Sequence, residues 1–291
     1  MKKKIKILIP IYNDWKSAFK LLESIDQLIF YEGNEVSIFI VNDGSLEQKP
    51  NTNMIFKNLA SVQIINMKNN KGHARSIAAG LKYIYEKVEF DYLIPMDGDG
   101  EDRPEELNPL IRKIYEEPNT IITANRVKRS ENFIFKFCYI IHKLLTFILT
   151  GQSIKFGNYT CLSKEAVAKI VREKSTWNSF SGSLAKLFQN RKFIQSIRGS
   201  RYFGPSKMSF INLLKHSLSI ISVFKKTAFI RIIIFLTIYF FIISSHISLI
   251  TLTPIFFIFI IIISVFILSK RENIDEFNNS LENINDIEIL K

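Results

Sequence analysis

A pair of carboxylates separated by one residue is the clearest chemical signal in the chain. Asp97 and Asp99 follow an apolar run from Tyr92 to Met96, and Gly98 lies between them. An apolar run that ends this abruptly is typical of a buried strand followed by a turn. Two carboxylates this close repel each other unless a cation lies between them. Hard oxygen ligands suit Mg²⁺ or Mn²⁺, which commonly also bind substrate phosphates, whereas an isolated pair could equally be an acidic surface turn.

The elements that must position this pair alternate between strand and helix. Apolar runs predict strands over residues 5–11, 36–41, 62–66 and 92–96, and apolar residues at helical spacing predict helices over 15–29 and 74–85. This alternation indicates an α/β fold with a mainly parallel sheet and helices on both faces. Ligands of such open sheets bind beyond the carboxyl ends of the strands. We therefore expect the carboxylates that follow three of these strands to converge on one crevice: Asp14, Asp43, Asp97 and Asp99.

Four short motifs in the N-terminal part resemble the ordered motifs of family 2 glycosyltransferases with the GT-A fold. Each motif alone is weak, but four of them in order make a specific pattern over roughly the first 110 residues. The motifs are Pro10-Ile11-Tyr12-Asn13-Asp14, Val41-Asn42-Asp43-Gly44-Ser45, Asn70-Lys71-Gly72 with Ala74 and Ala79-Gly80, and Asp97-Gly98-Asp99.

The resemblance implies a metal-dependent transferase that uses a nucleotide-sugar donor. By it, Asp99, with Asp97 beside it, would hold the Mg²⁺ or Mn²⁺ that bridges the diphosphate and neutralises charge on the leaving group. Two alternatives stay open: Asp14 could cap the helix that begins at Trp15, and Asp43 could stabilise an Asx turn. The residues implied to bind the donor nucleotide are Pro10, Tyr12, Asp14, Asp43, Lys71 and Asp97.

Basic residues further along the chain predict a site for a second phosphate. The loop after residue 124, the stretch around Gly157-Asn158 and the segment Arg198–Met208 resemble the polyprenyl-phosphate branch of the same family. Such a branch implies a lipid acceptor, for example undecaprenyl phosphate, held by charge-assisted hydrogen bonds. A solvated basic loop and a juxtamembrane linker that binds lipid headgroups are the alternatives. The implied acceptor residues are Arg126, Arg129, Asn158, Arg201, Ser206 and Lys207.

The residue type at position 158 bears on the acceptor. Members of that branch often carry an Asp there, whereas Asn158 cannot accept a proton as a carboxylate does. A lipid phosphate is already anionic and needs no general base, but a sugar hydroxyl does. Transfer to a hydroxyl of a lipid-linked glycan in surface polysaccharide assembly is therefore the alternative, with Asp102 as the catalytic base. A non-catalytic nucleotide-binding protein is a third hypothesis, which the intact Asp43, Asp97 and Asp99 argue against.

The C-terminal part predicts attachment to the cell membrane. Residues 228–245 and 247–268 are apolar runs close to the ~20 residues that span a bilayer. Basic residues precede and follow the pair, so the positive-inside rule predicts a multi-pass hairpin with the catalytic domain and both termini in the cytoplasm. Residues 133–149 and 209–224 have the spacing of amphipathic interfacial helices, although 133–149 could also be a core helix. A net charge of +12 suits anionic lipid or phosphorylated substrates, and its clustering near the membrane segment argues against nucleic acid.

These patterns together predict four parts. They are a catalytic domain over 1–206, a juxtamembrane amphipathic helix over 207–226, a transmembrane hairpin over 227–269, and an acidic tail over 270–291 that is disordered or marginally helical. The sequence identifies neither the sugar nor the base, and it leaves a homo-oligomer open.

Overall fold

A computed structural model describes residues 2–51, 54–118, 120–128, 133–205 and 210–291. The strands, numbered in chain order, are β1 (Lys4–Ile11), β2 (Glu35–Asn42), β3 (Ser61–Met67), β4 (Tyr92–Pro95), β5 (Ile122–Lys128), β6 (Phe156–Ser163), β7 (Lys192–Ile197) and β8 (Ile284–Ile289). The helices are α1 (Trp15–Asp26), α2 (His73–Lys87), α3 (Leu107–Glu116), α4 (Phe133–Thr150), α5 (Lys164–Ile170), α6 (Phe180–Leu187), α7 (Phe210–Val223), α8 (Lys225–Ile243), α9 (Leu249–Ser269) and α10 (Ile274–Asn278).

The strands form one sheet across the described residues, in the order β7-β5-β6-β4-β1-β2-β3-β8. The neighbours β4, β1, β2 and β3 run parallel, whereas β6 and β8 pair antiparallel with the strands beside them. Parallel strands need crossover connections, which α1 and α2 help to supply. The predicted mainly parallel α/β sheet is confirmed, and the four predicted N-terminal strands all belong to it.

Helices cover both faces of this sheet. Ile5, Ile7 and Ile9 point to the face where α1 and α3 pack, and Leu8 and Phe39 point to the face where α2 and α5 pack. All five are at most 1% exposed, and burying such a side chain contributes about 1.5–3 kcal/mol. Strands that are buried on both faces consist of nearly continuous apolar residues, and such runs can be recognised in a sequence. This is why the four N-terminal strands were predicted correctly.

The helices α8 and α9 are 19 and 21 residues long and are apolar enough to cross a membrane by length and composition. Few of their side chains are buried, because they pack mainly on each other and on α4 and α7. A small apolar cluster joins the four helices, and it includes Leu149, Ile221, Ala228, Ile232 and Val265. The predicted pair of apolar C-terminal helices is therefore present.

Residues 270–291 are folded, contrary to the expectation of a disordered or marginally helical tail. After α9 the chain forms α10 and then β8, which pairs with β3 from Gln63↔Ile289 to Met67↔Ile284. Phe277 of α10 is fully buried in the core. The tail prediction is wrong because a strand is stabilised by its pairing partner more than by its own residues, and that partner lies far earlier in the chain.

Candidate active site

The turn that follows β4 is held in place on its inner side by the buried carboxylate of Asp102. Asp102 is 3% exposed, and its Oδ2 accepts the backbone N–H of Asp97 at 2.9 Å. Its Oδ1 accepts a hydrogen bond from Nη2 of Arg126 at 3.2 Å, and the same nitrogen lies 3.8 Å from Oδ2 of Asp97. Both oxygens of Asp102 are thus engaged, and the carboxylate fixes the direction in which Asp97 leaves the strand.

The outer side of the same turn contacts a segment that lies about 100 residues further along the chain, at Arg201 and Tyr202. Oδ2 of Asp99 accepts a hydrogen bond from Nη1 of Arg201 at 2.7 Å, and Nη2 of Arg201 pairs with Oδ2 of Asp14. The backbone N–H of Tyr202 donates to the carbonyl of Asp99 at 3.0 Å. Gly100 has a φ of +89°, and a Cβ at this position would lie 2.6 Å from the Tyr202 ring. Glycine is therefore required where the two segments meet.

The electrostatics of the turn follow from this crowding. Burial and the charge of Asp97 raise the pKa of Asp99 to about 6, with Glu101 adding to the rise. Burial and Asp97 likewise raise the pKa of Asp102 to about 7, although Arg126 opposes the rise. Burial would also raise the pKa of Asp97, but His73 and Arg126 more than offset it and hold that pKa well below its ordinary value. The carboxylates of the turn are therefore so buried and lie so close together that Asp99 and Asp102 bind protons more tightly than they would in water.

This donor set fits a divalent cation. Within the described ranges, no three His, Cys, Asp or Glu side chains are arranged to hold a metal ion together. Mg²⁺ and related ions, however, are commonly bound by one or two carboxylates with substrate phosphates completing the coordination. The raised pKa of Asp99 and its contact with a guanidinium show that this carboxylate sits where a cation is favoured. Asp99 and Asp97 are the residues that would hold the ion.

The residues expected at the nucleotide occupy the neighbouring strand ends. Asp43 is 3% exposed and accepts the backbone N–H groups of Lys71 at 2.9 Å and of Gly72 at 2.8 Å. Asp43 therefore connects the end of β2 to the loop before α2. Its contacts reach well beyond the neighbouring residues that an Asx turn would involve. Pro10 is buried within β1, whereas Tyr12 is 42% exposed at the end of that strand.

The alternative role for Asp14 is also resolved by its contacts. Asp14 precedes α1, but its side chain makes no capping hydrogen bond to the helix backbone. One oxygen accepts a hydrogen bond from the Ser17 hydroxyl at 2.7 Å, and the other pairs with Arg201. The carboxylate therefore pairs with Arg201, next to Asp99, and does not cap the helix amides.

Of the residues expected at the acceptor phosphate, the structure brings three to the acidic turn. Arg126 and Arg201 contact the carboxylates directly, and Asn158 donates to Oδ1 of Asp97 at 3.0 Å. Arg129, Ser206 and Lys207 lie outside the described residues. The acidic turn and the basic residues thus form one cluster and not two separate sites.

The family of this protein is shown by a sequence match that begins near the N-terminus and covers more than half of the chain. Residues 6–167, more than half of the 291, match the family model described as glycosyl transferase family 2. The chain belongs to this family. The match covers β1 to β6, and therefore all four strand-end motifs.

Curated relatives of this family 2 chain include transferases that act on a lipid phosphate. The undecaprenyl-phosphate 4-deoxy-4-formamido-L-arabinose transferase of Klebsiella pneumoniae (strain 342) is 27% identical over 221 residues, which are 73% of this chain and 64% of that protein. The enzyme of the same name from Serratia proteamaculans (strain 568) is 28% identical over 221 residues, 73% of this chain and 65% of that protein. The match spans less than two thirds of each relative's length.

Solved structures confirm the GT-A fold of this family 2 chain. Glucosyl-3-phosphoglycerate synthase of Mycobacterium tuberculosis, in complex with Mn²⁺, UDP-glucose and phosphoglyceric acid, has a TM-score of 0.53 at 11% identity and covers 78% of this chain and 80% of its own. A mannosyltransferase of Pyrobaculum calidifontis, in complex with GDP-mannose and Mn²⁺, has a TM-score of 0.52 at 10% identity and covers 97% of this chain and 87% of its own.

His73 is a residue of this family 2 site to which the sequence analysis assigned no role. It begins α2, and its Nε2 lies 3.4 Å from Oδ1 of Asp97 and 2.8 Å from Nδ2 of Asn158. The side chain of His73 is 45% exposed; partial loss of solvent around the ring opposes protonation, but the hydrogen bond with Asp97 and the nearby carboxylates raise its pKa above the ordinary value. The available signal was its position directly after Lys71-Gly72, at the positive end of a helix dipole.

Proposed function

We propose that this protein is a membrane-bound, metal-dependent glycosyltransferase. It transfers a sugar from a nucleotide-sugar donor to the phosphate of a polyprenyl lipid such as undecaprenyl phosphate. The observation that supports this most directly is the contact of Arg201 with both Asp99 and Asp14. It brings a phosphate-binding guanidinium against the carboxylates that serve the donor. The names of the curated relatives, undecaprenyl-phosphate sugar transferases, point to the same acceptor.

The reaction is an in-line displacement at the anomeric carbon. An oxygen of the lipid phosphate forms a bond to this carbon, while the bond from the carbon to the nucleoside diphosphate breaks and the diphosphate keeps the electron pair. The configuration at the carbon is inverted, and no proton has to be removed from the acceptor. A bound Mg²⁺ or Mn²⁺, held by Asp99 and Asp97, would supply neutralisation of charge on the departing diphosphate.

The residues of the chain contribute mainly position and charge. Asp102 and Arg126 hold Asp97 in place, and Arg201 can pair with phosphate oxygens in the same way that it pairs with carboxylate oxygens. Preorganised charges of this kind act without reorganisation at the moment of reaction. His73 and Asn158 lie against Asp97, on the side where we expect the sugar and its diphosphate.

The contacts of Asp102 favour a phosphate acceptor over a hydroxyl acceptor. A hydroxyl would need a base, and the sequence analysis named Asp102 for that role. This carboxylate is buried and both of its oxygens are hydrogen-bonded within the protein, so it is not placed to take a proton from a substrate. Asp102 therefore supports the turn and does not act as the base.

The C-terminal helices supply the means to meet a lipid substrate at the membrane. We propose that α8 and α9 cross the bilayer as a hairpin and that α4 and α7 lie at its cytoplasmic surface. Large apolar side chains of α4 and α7 are exposed, among them Ile140, Leu144, Phe147 and Ile211. Such exposed faces suit the headgroup region of a membrane. The catalytic domain and both ends of the chain would then lie in the cytoplasm.

A screen tests the proposal. Full-length protein in detergent or nanodiscs is offered UDP-, GDP- and dTDP-sugars with undecaprenyl phosphate and Mn²⁺ or Mg²⁺, in parallel with a lipid-linked glycan that carries only free hydroxyls. We expect transfer to the lipid phosphate, and we expect EDTA to abolish it until the metal is restored. Transfer that survives chelation, or transfer to the hydroxyl acceptor alone, would overturn the proposal.

A further inference from the structure

We infer that Glu276, on the segment that follows the hairpin, is a positioning residue for donor binding, because it holds Lys71 and Arg75 at the start of α2. This inference rests on the proposed function. The segment 270–291 is thus more than a sheet edge: it contacts the residues at the start of α2 from outside residues 6–167, which match the family model.

The carboxylate of Glu276 joins three side chains of the catalytic domain. Its Oε1 lies 3.3 Å from Nζ of Lys71, and its Oε2 lies 3.2 Å from Nη2 of Arg75. The indole N–H of Trp177 donates to the same Oε2 at 2.9 Å. The guanidinium of Arg75 also lies over the Trp177 ring, 5.3 Å from its centroid. One carboxylate therefore orients two cations and the aromatic ring that one of them covers.

Glu276 is itself held in place by its neighbours. The side chain of Asn273 accepts its backbone N–H at 3.0 Å, which caps α10. The next residue, Phe277, is fully buried and stacks on Trp177 with the ring centroids 5.4 Å apart. Burial would raise the pKa of Glu276, but the Trp177 hydrogen bond and the charges of Arg75 and Lys71 lower it, so the group stays ionised near neutral pH.

The loop that carries Lys71 is fixed between the tail and the site. On the tail side, the backbone N–H of Lys68 donates to the carbonyl of Asn283 at 2.7 Å, and the amide of Asn283 donates to the carbonyl of Asn69 at 3.0 Å. On the site side, Asp43 accepts the N–H groups of Lys71 and Gly72. A shift of this loop would therefore be transmitted to the carboxylate at the nucleotide end.

Loss of the Glu276 charge should affect donor affinity more than turnover. Without it, the cations of Lys71 and Arg75 repel each other and lose a common orientation. Lys71 lies just before α2, where Asp43 accepts its backbone N–H, and Arg75 lies in the first turn of α2. Among the described residues, Lys71 and Arg75 form ion pairs with Glu276 and not with the carboxylates of the turn after β4. Residues that orient metal ligands typically contribute about 10-fold to 100-fold to affinity, and we expect an effect at the lower end of this range for a carboxylate that orients two cations.

The test compares Glu276→Gln with Glu282→Gln in the full-length protein. The first variant keeps a hydrogen-bond acceptor for Trp177 but removes the charge, and the second removes the same charge from an exposed side chain of the same segment. Binding of UDP, GDP and dTDP in the presence of Mn²⁺ is measured by calorimetry. We expect Glu276→Gln to weaken the nucleotide that the wild type binds by about 10-fold, with Glu282→Gln unchanged. In transfer assays KM for the donor should rise similarly, with kcat within about twofold.

Two further measurements separate positioning from a merely structural role. The cycle of Glu276→Gln, Arg75→Gln and the double variant should be non-additive in nucleotide affinity, because the residues act as a pair. Glu276→Asp should recover part of the lost affinity. An unchanged nucleotide affinity in Glu276→Gln, an equal loss in Glu282→Gln, or a lowered Tm without a change in affinity would each overturn the inference while leaving the proposed function intact. A wild type that binds none of the three nucleotides would overturn both.

Discussion

The two sides of the turn after β4 use the same chemistry in different surroundings. We call Asp102 and Arg126 the inner pair, and Asp14, Asp99 and Arg201 the outer cluster. Asp102 is 3% exposed, whereas Asp99 and Asp14 are 17% and 19% exposed; the guanidinium-bearing side chains of Arg126 and Arg201 are alike, at 13% and 14%. Asp102 also accepts a backbone N–H, whereas Arg201 joins the carboxylates that follow two neighbouring strands, β1 and β4.

This difference indicates different roles. Asp102 is buried, so loss of its contact with Arg126 would leave an unpaired buried charge, and the inner pair therefore acts as a fixed support. Asp14 and Asp99 are partly exposed, so solvent or a ligand can take the place of either one, and Arg201 can exchange one anion for another. The outer cluster is therefore the part of the site that can bind metal and phosphate, and the inner pair is the part that keeps Asp97 in position.

The largest effect is expected at the outer carboxylate. Asp99→Asn removes the charge that would hold the cation while keeping the shape of the side chain and an oxygen for the Glu101 N–H. We expect transfer to fall by about 10³-fold, because transition-state charge is then left without its counter-charge. Tm should change by no more than a few degrees. Turnover close to that of the wild type, measured by transfer of labelled sugar to lipid, would contradict the assignment of Asp99.

The inner pair should respond in the opposite way. Arg126→Gln leaves Asp102 buried without its cation, and breaking such a pair costs about 3 kcal/mol of folding free energy. Thermal or chemical unfolding of the full-length protein measures this loss. A stability that matches the wild type would mean that the inner pair is not a support.

The pH dependence of this variant sharpens the comparison. Burial and Asp97 already raise the pKa of Asp102 to about 7, and loss of Arg126, which lowers it, should raise it further. A carboxyl with a raised pKa in the folded state disfavours folding as it ionises, so stability is lost as pH rises through that pKa. The deficit of Arg126→Gln relative to the wild type should therefore grow above about pH 7, where Asp102 of the wild type is already ionised and that of the variant is not.

The matched substitution in the outer cluster, Arg201→Gln, should spare stability and reduce turnover. A charge-assisted hydrogen bond contributes about 1.5–3 kcal/mol, so we expect kcat/KM for undecaprenyl phosphate to fall by about 10-fold or somewhat more. Tm should stay near the wild-type value, because solvent partly compensates a pair at the crevice edge. If Arg201→Gln instead unfolds the protein as readily as Arg126→Gln does, the distinction between the two sides fails.

The carboxylates of the site could be predicted from the sequence better than the long-range contacts that join them. Asp97, Asp99 and Asp43 stand directly after apolar strands, so local pattern was enough to place them at one edge of a parallel sheet. The pairing of Arg201 with Asp14 joins residues 187 positions apart, and that of Glu276 with Lys71 joins residues 205 apart. Such contacts depend on the path of the chain, which periodicity and propensity do not encode.

The error over the tail has the same origin. The sequence of β8 has little apolar alternation of its own, and most of its side chains are partly or fully exposed. What orders it is the free edge of β3 and the burial of Phe277, and both are supplied by residues distant in sequence. The sequence analysis assigned no role to His73 because no residue near it in the sequence indicates one. Its partners, Asp97 and Asn158, are distant in the chain and are brought to it only by the fold.

The smallest effect is expected at Asp14, and it tests whether the outer cluster works as a unit. Asp14→Asn keeps an oxygen for the Ser17 hydroxyl but removes one of the two charges that face Arg201. Because Asp99 still holds the guanidinium, we expect transfer to fall only about 2–5-fold, in line with the partial loss of an ion pair near the surface. The control is Glu23→Gln, which removes a charge from an exposed position of the same helix and should leave transfer unchanged. Combined with Arg201→Gln, Asp14→Asn should add little, since its effect acts through that residue. A full additive loss would mean that Asp14 contacts the donor independently, and the cluster would then be two sites that share a crevice.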